Sequence, residues 1–341
     1  MAQATDVSVA GARIYRWRNE RSEFFIMKIK IRSHSMRIGA IDIGTNSMRL
    51  LICDYIDNKL ENRVKFVNTT RIGKDVDKNG YISEEAINRN IRSLKEFANI
   101  CKENKCEKIY AIGTSALRDS KNKEEFINLA KLESSIDVEI ITGEEESNLG
   151  FKGVLEGLDS KDGILVLDIG GGSTEFIIGG IEGIKFAKSE NVGALRMTEK
   201  FLTKDPICEK EFDNMSSFIE NEIDETLKYI KDKGIKKLVG IGGTITSLSA
   251  MNQELEIYSM EKIHNSLISK DDIKLILQNL KKMTLSDKKN LKGLQVKRAD
   301  IITAGVKILD IIMENLEIEN IIVSEYDNLE GLICQRVKKM S

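Results

Sequence analysis

Histidine, proline and paired cysteines are scarce in this chain. Its 341 residues include two histidines, His34 and His264, and a single proline, Pro206. Neither histidine lies near a cluster of cysteines or carboxylates, which argues against a zinc site and against a catalytic triad built on histidine. The five cysteines are scattered and form no Cys-x-x-Cys pair. A disulfide framework is therefore not expected, and a reducing cytoplasm is the default location.

Long apolar runs and an excess of positive charge are also missing. No segment approaches the roughly 20 apolar residues of a membrane span, so no contact with a membrane core is expected. Lysine and arginine total 52 against 54 aspartates and glutamates, a net charge of −2. This balance argues against general nucleic-acid binding, which requires neutralisation of a phosphate backbone. The length and the 41% of hydrophobic residues fit a globular protein of about two domains.

Residues 1–35 differ in composition from the rest of the chain. They contain the only tryptophan, Trp17, whereas the remainder is rich in lysine, isoleucine, asparagine and glutamate. They lack the apolar region of a signal peptide. We expect residues 1–35 to be a poorly ordered upstream extension or a cloning remnant. A short arm that binds a membrane or a partner is the alternative.

One pattern occurs twice: a strand, an acidic residue, a glycine turn with hydroxyls, and a second strand. Residues 40–52 align with residues 166–178, so that these pairs coincide: Asp42 with Asp168, Gly44 with Gly170, and Ser47 with Ser173. Glycine turns bring backbone N–H groups close to a ligand and suit a chain of phosphates, and nearby carboxylates can hold a hard cation. A single turn of this kind is a weak signal. Two in register predict two like domains whose loops face one cleft.

Other polar residues follow predicted strands or open predicted helices. Arg118 and two hydroxyls follow one strand, and Arg196 lies in a similar turn, so both arginines are candidates for binding an anion. A surface arginine beside a helix cap is the alternative for Arg118. Glu144, Glu145 and Glu146 open a helix, where acidic residues usually interact with the helix dipole. One of them could instead be a general base, and the pattern does not decide which.

The combination of motifs resembles the exopolyphosphatase/guanosine pentaphosphate phosphohydrolase family of the actin–Hsp70–sugar kinase superfamily. The motifs that carry the resemblance lie at residues 40–50, 113–119, 142–146, 168–175, 193–199, 240–244 and 298–300. The resemblance starts near Met36 and is to the short, two-domain form. It implies an α/β fold with two ribonuclease H-like (actin-like ATPase) domains around a central cleft. These domains are expected at residues 36–160 and 161–341, with the last helix, at about 327–341, packed back on the first domain.

The resemblance also implies roles for individual residues. Glu146 matches the general base that activates water, and Arg118 matches an arginine that faces the phosphates. Mg²⁺ is expected at Asp168 and Glu175, with Asp42 as a further ligand. The expected phosphate-binding set consists of Gly44, Asn46, Ser47, Gly170, Gly171, Gly172, Ser173, Thr174 and Arg298.

One departure from the family pattern lies near the C-terminus. Relatives commonly have Ser-x-x-Gly followed by an arginine two residues on. This chain has Ser324, then Asp327, then Leu329 at those positions. The shape of this turn, and any ligand contact there, is therefore not predicted.

Three functions fit these residues. The first is release of the terminal phosphate from inorganic polyphosphate by Mg²⁺-assisted attack of water. The second is hydrolysis of pppGpp to ppGpp, a reaction of the stringent response, and the third is a non-catalytic sensor of nucleotide or polyphosphate. A sugar kinase fits less well, because the acidic cluster suits activation of water better. No sequence feature decides between polyphosphate and pppGpp as the partner, and homodimerisation is open by analogy alone.

Overall fold

The computed structural model describes residues 5–9, 12–16, 35–158 and 163–338. In the N-terminal segment, strands β1 (Thr5–Val9) and β2 (Ala12–Arg16) pair antiparallel in a sheet of two strands. Most of the segment expected to be poorly ordered lies outside the described residues, so that expectation stays a prediction. The boundary expected at residues 160 and 161 also lies outside them.

The first large sheet has five strands in the order β5-β4-β3-β6-β7. Its strands are β3 (Ser35–Ile43), β4 (Met48–Ile56), β5 (Lys59–Asn68), β6 (Lys108–Gly113) and β7 (Val138–Ile140). Strands β3 to β5 pair antiparallel, and β6 and β7 continue the sheet in parallel with β3. The helices between these strands are α1 (Val76–Asn79), α2 (Glu84–Glu103), α3 (Ser115–Asp119) and α4 (Lys123–Ser134).

Helix α2 shows how local sequence produces these elements. The hydroxyl of Ser83 accepts the backbone N–H of Ala86 and satisfies one of the donors that a helix start leaves unpaired. Ile87, Ile91 and Leu94 recur at helical spacing and are all buried. The helix therefore packs its apolar side into the core of the first sheet.

The second large sheet repeats the first and adds one edge strand, in the order β10-β9-β8-β11-β13-β12. Its strands are β8 (Ile164–Ile169), β9 (Thr174–Gly180), β10 (Gly183–Glu190), β11 (Lys237–Ile241), β12 (Leu267–Ser269) and β13 (Asn320–Val323). The associated helices are α6 (Ala194–Phe201), α7 (Glu209–Lys231), α8 (Gly242–Asn252), α9 (Met260–Ile263), α10 (Lys270–Lys282), α11 (Leu285–Lys288) and α12 (Ile302–Leu316). The doubled architecture is the one that the internal repeat predicts.

Two further helices, α5 (Gly143–Gly157) and α13 (Asn328–Lys338), cross between the sheets. Helix α5 follows the first sheet, but Phe151 and Val154 pack among residues of the second sheet. Helix α13 follows the second sheet, but Leu332 and Ile333 pack against β3 and β4 of the first. Each domain thus contributes a helix to the core of the other.

The two crossing helices approach each other closely at glycines. A side-chain carbon added at Gly331 would lie 1.9 Å from the carbonyl oxygen of Leu149, and one added at Gly153 would lie 1.9 Å from that of Asp327. No residue with a side chain fits at either position without a shift of the backbone. The contact therefore fixes the start of α13 against α5.

Ion pairs join the two domains as well. Arg71 binds both carboxylate oxygens of Asp300 at 2.7 Å. Arg196 lies 2.7 Å from Asp77 and 3.2 Å from Asp119. Arg196, a candidate anion-binding residue, is thus paired with carboxylates of the first domain. None of the described helices has the length and apolar composition needed to cross a membrane.

Candidate active site

The turns after β3 and β8 face a common cleft. The cleft brings together most of the side chains and turns expected to bind phosphate or metal. The expected residues that line it are Asp42, Gly44, Asn46, Ser47, Glu146, Asp168, Gly170, Gly171, Gly172, Ser173 and Arg298. Arg118, Thr174 and Glu175 do not line it.

The two glycine turns have the same hydrogen bond at their base. The N–H of Gly44 donates to the carbonyl of Ser47 at 3.1 Å, and the N–H of Gly170 donates to the carbonyl of Ser173 at 2.9 Å. The repeat seen in the sequence is therefore also a repeat of backbone geometry.

Contacts behind the second turn orient its amides. The carbonyls of Gly170 and Gly171 accept the N–H groups of Ala194 and Leu195 at the start of α6, both at 2.9 Å. The carbonyl of Gly172 accepts Nε of Arg196 at 2.6 Å. Because C=O and N–H point in opposite directions across a trans peptide, the following amides of the turn point away from α6. They can cradle phosphate oxygens in the cleft.

Glu146 is the member of the acidic cluster that lines the cleft. Glu145 forms a capping box with Thr142 at the start of α5, and Glu144 is exposed. Burial, together with the nearby Glu175, raises the pKa of Glu146 well above its usual value, although Arg118 opposes the rise. A carboxylate with a raised pKa is suited to accept a proton near neutral pH.

Arg118 lies behind Glu146 instead of in the cleft. Its Nη1 donates to Oε2 of Glu146 at 3.2 Å and to the carbonyl of Ile141 at 3.1 Å. The short helix α3 holds it there, since it occupies the last turn of that helix. The structure thus places Arg118 as the partner of Glu146, and it does not place it against the space for phosphates.

Thr174 and Glu175 lie on β9 behind the second turn. Thr174 is fully buried, and its hydroxyl donates to the carbonyl of Val192, so it does not reach the cleft. Glu175 accepts hydrogen bonds from the hydroxyls of Ser173 and Ser189, each at 2.7 Å. Side chains alternate along a strand, so Thr174 and Glu175 lie on opposite faces of β9, and Glu175 shares the side of Ser173.

The two repeated aspartates have different cross-strand neighbours. Asp42 lies opposite Arg49 and forms an ion pair with it. Asp168 lies opposite Glu175, a second acid. Burial, and next the charge of Glu175, raise the pKa of Asp168 to about 8. The aspartate of the first turn is therefore paired with a cation, whereas the aspartate of the second turn lies opposite another acid.

Asp42, Asp168 and Glu175 do not form a preformed metal cage. In the described part of the chain, no group of three or more histidine, cysteine, aspartate or glutamate side chains could hold a metal ion. However, Oδ1 of Asp42 is buried and has no hydrogen-bond partner among the described residues. This orphaned oxygen and the raised pKa of Asp168 are both features that a hard cation would relieve.

Arg298 is a buried cation without an acidic partner. No carboxylate lies within 4.0 Å of its guanidinium among the described residues, and its one hydrogen bond there is to the hydroxyl of Ser47, at 3.4 Å. Burial, together with the charge of Arg49, lowers the pKa of Arg298 to about 10. Gly243 allows its approach, because a side-chain carbon there would lie 2.1 Å from Nη2. Such an arginine is suited to bind an anion.

The cleft also contains residues outside the expected set. Arg49 lines it, as do Thr114, Ser115 and the third glycine turn at residues 242–244, which belong to motifs of the resemblance but had no expected role. The internal repeat carries a signal for Arg49, because its position aligns with Glu175. Asn328 also lines it, with Nδ2 3.4 Å from Oδ2 of Asp168. No local pattern predicts Asn328, because it reaches the cleft only through the crossing of α13.

The turn that departs from the family pattern is ordered by its own side chains. Oδ1 of Asp327 accepts the N–H of Leu329 at 3.0 Å, and the N–H of Asp327 donates to Oε2 of Glu330 at 3.0 Å. This reciprocal arrangement caps the start of α13, because the Asp327 side chain accepts the N–H of the second helical residue and Glu330 binds the backbone of Asp327. Leu329, at the position where the resemblance led us to expect arginine, is fully buried against the first domain.

The fold defines a class of protein: one with two actin-like domains and a cleft between them. Comparison with known proteins gives the family. The model of the Ppx/GppA phosphatase family matches residues 57–340. The chain belongs to this family, which confirms the resemblance, the fold class and the prediction of a hydrolase.

The relatives agree with this assignment. The chain is 38% identical to a bifunctional 3-dehydroquinate synthase/phosphatase of Fusobacterium nucleatum, over 94% of this chain and 50% of that protein, so it spans half the length of this relative. It is 32% identical to exopolyphosphatase 2 of Mycobacterium tuberculosis, over 87% of this chain and 97% of that one. The crystal structure of the Aquifex aeolicus Ppx/GppA family member superposes with a TM-score of 0.76 at 32% identity, over 90% and 99% of the two chains.

Proposed function

We propose that this protein is an exopolyphosphatase, which releases the terminal phosphate of inorganic polyphosphate by attack of water. The observation that carries the proposal is Arg298, a buried guanidinium with no carboxylate within 4.0 Å among the described residues. A buried charge without a partner is unfavourable. A phosphate oxygen between the two glycine turns would supply that partner. The name of the exopolyphosphatase relative supports the same substrate.

The lining of the cleft favours polyphosphate over pppGpp. Its described lining consists of glycines, hydroxyls, amides and charged groups, with Ala194, Ile169 and Ile301 as the apolar members and no aromatic ring. Pockets that recognise a planar ring usually offer an apolar or aromatic surface. A chain of phosphates needs only hydrogen-bond donors and positive charge.

The residues of the chain would divide the reaction between them. The amides of the two glycine turns and Arg298 would hold the terminal phosphates and stabilise charge on their oxygens. Glu146 would accept the proton of the attacking water, and Arg118 would fix the orientation of Glu146. Positioning and charge stabilisation account for most of the catalysis of phosphoryl transfer. This set of groups would supply both.

Magnesium fits the acidic side of the cleft. Asp168 and the orphaned Oδ1 of Asp42 would hold it, with phosphate oxygens and water as the other ligands. Glu175 would act behind them by holding Ser173. When bound, Mg²⁺ would neutralise charge on the phosphate oxygens.

Phosphate release from polyphosphate, pppGpp and ATP, measured side by side with Mg²⁺, tests the proposal. We expect the highest kcat/KM with polyphosphate. Higher kcat/KM with pppGpp would replace the proposed substrate with the nucleotide. Binding with no phosphate release from any of the three would show a sensor and contradict the proposal.

A further inference from the structure

We propose that Asp327 positions Arg49 for the reaction, so that the start of the last helix completes the active site. This inference rests on the proposed function. The inference adds Arg49, which lines the cleft, as a second cation that faces the phosphates. Asp327 acts through Arg49 and does not contact the substrate.

Arg49 is held between two carboxylates at the wall of the cleft. Nε and Nη2 donate to Oδ2 of Asp42, and Nη1 donates to Oδ2 of Asp327 at 2.7 Å. The side chain is 16% exposed, and it lines the cleft. Because the guanidinium is planar and both of its ends are paired, its orientation is fixed before a ligand arrives.

Asp327 is itself fixed from both domains. Glu330 accepts its backbone N–H, and the N–H of Leu329 holds one of its carboxylate oxygens. Lys65, on β5 of the first domain, lies 3.4 Å from Asp327 and 3.1 Å from Glu330. Arg63 on the same strand donates to Glu330 at 2.8 Å. The position of Arg49 therefore depends on the docking of α13 onto β5 and β4.

Loss of the charge of Asp327 should therefore affect the alignment of Arg49 more than the binding of the substrate. Without the charge of Asp327, Arg49 keeps its ion pair with Asp42 and its positive charge remains in the cleft. Attraction for phosphates should therefore persist, while the direction of the guanidinium is no longer fixed. Misplacement of an aligned group lowers the rate of the chemical step more than it lowers binding.

Asp327→Asn tests the inference, because it removes the charge and keeps an oxygen that can accept the N–H of Leu329. With tripolyphosphate as substrate, we expect kcat to fall about tenfold or more, while KM stays nearly constant. Glu325→Gln is the matched control. Glu325 is also a buried carboxylate near Lys65, and it accepts a hydrogen bond from Tyr258, but it has no hydrogen bond to Arg49. This control should keep its kcat.

A double-mutant cycle separates positioning from a structural effect. If Asp327 acts through Arg49, then Asp327→Asn should cost little in the Arg49→Gln background. Single-turnover rates with terminally labelled tripolyphosphate keep slow variants measurable. Equal losses of rate in the two backgrounds, or the same loss in Glu325→Gln, would overturn the inference.

Two more measurements keep the test decisive. If Asp327→Asn does not fold, Arg49→Lys carries the test, because lysine keeps the charge but cannot bridge two carboxylates in a fixed plane. Full kcat in Arg49→Lys would then overturn the inference. The wild-type chain is measured first: no release from tripolyphosphate would refute the proposed function, whereas wild-type release with an additive cycle would refute only the role of Asp327.

Discussion

Replacement of Glu146 by glutamine should remove most of the turnover and leave the fold intact. Glutamine has the size of glutamate, so the packing of α5 is unchanged, but it cannot accept a proton from water. Positioned acid–base catalysis contributes about 10²- to 10⁴-fold. We therefore expect kcat to fall by about that factor, equivalent to roughly 3–5 kcal/mol in the activation barrier.

The same substitution should not lower stability at neutral pH. Burial and Glu175 raise the pKa of Glu146 in the folded state. A carboxyl group whose pKa is raised by folding favours the folded state while it is protonated, and its contribution is lost as the pH rises through the folded pKa. Glutamine stays neutral at all pH values. The melting temperature of the variant at pH 7 and above should therefore equal or exceed that of the wild type.

Phosphate release and circular dichroism, measured on the same preparations, check both expectations. Glu144→Gln is the matched control, because Glu144 is exposed and lies on the same turn of α5. The wild type should also lose kcat/KM at acidic pH, with a midpoint above the usual range of a glutamate, and the Glu146→Gln variant should lack this limb. Near-full activity in Glu146→Gln would remove Glu146 as the base.

Three further changes test other parts of the molecule. Arg298→Gln should weaken tripolyphosphate binding in calorimetry by about 10- to 100-fold, since hydrogen bonds of charged groups contribute roughly 1.5–3 kcal/mol; unchanged affinity would contradict its role. Asp168→Asn should weaken binding of Mn²⁺, detected by electron paramagnetic resonance, and equal binding would exclude Asp168 as a ligand. Gly331→Ala should lower the melting temperature, because the added carbon would lie 1.9 Å from the carbonyl oxygen of Leu149. Overpacking of this kind costs about 1–3 kcal/mol. An unchanged melting temperature would show that α5 and α13 can move apart without a loss of stability.

The fold could be predicted because its signals are local and are repeated. Apolar spacing and the Ser83 cap locate α2, and the two aligned turns predict two like sheets. The edge strand β12 could not be found, since it has three residues and its apolar content is too small to give a period. The packing of α5 on the second sheet is a tertiary result that no local pattern contains.

The cleft residues on the two glycine turns could be predicted from the sequence. The cleft residues that tertiary packing brings there were harder to predict. Glycines and hydroxyls next to a strand end indicated the residues of both turns. Which side of β9 each side chain occupies depends on where the strand begins, and Thr174 is buried for that reason. Asp327 and Asn328 come from the last helix, more than a hundred residues after the turns they meet. Their place in the site follows from the contact between α5 and α13, which depends on Gly153 and Gly331.

The two copies of the repeat have the same turn geometry but differ in the residue opposite the aspartate, and this difference gives the two turns different electrostatic properties. Asp42 and Asp168 occupy equivalent positions, and both lie opposite the second residue of the following strand. In the first copy that residue is Arg49, which neutralises Asp42 and extends to Asp327. In the second copy it is Glu175, which adds charge and raises the pKa of Asp168. In the proposed function, the first turn would therefore hold a fixed arginine towards the phosphates, and the second would offer a carboxylate to a cation. A phosphate chain between them would then meet positive charge from both sides.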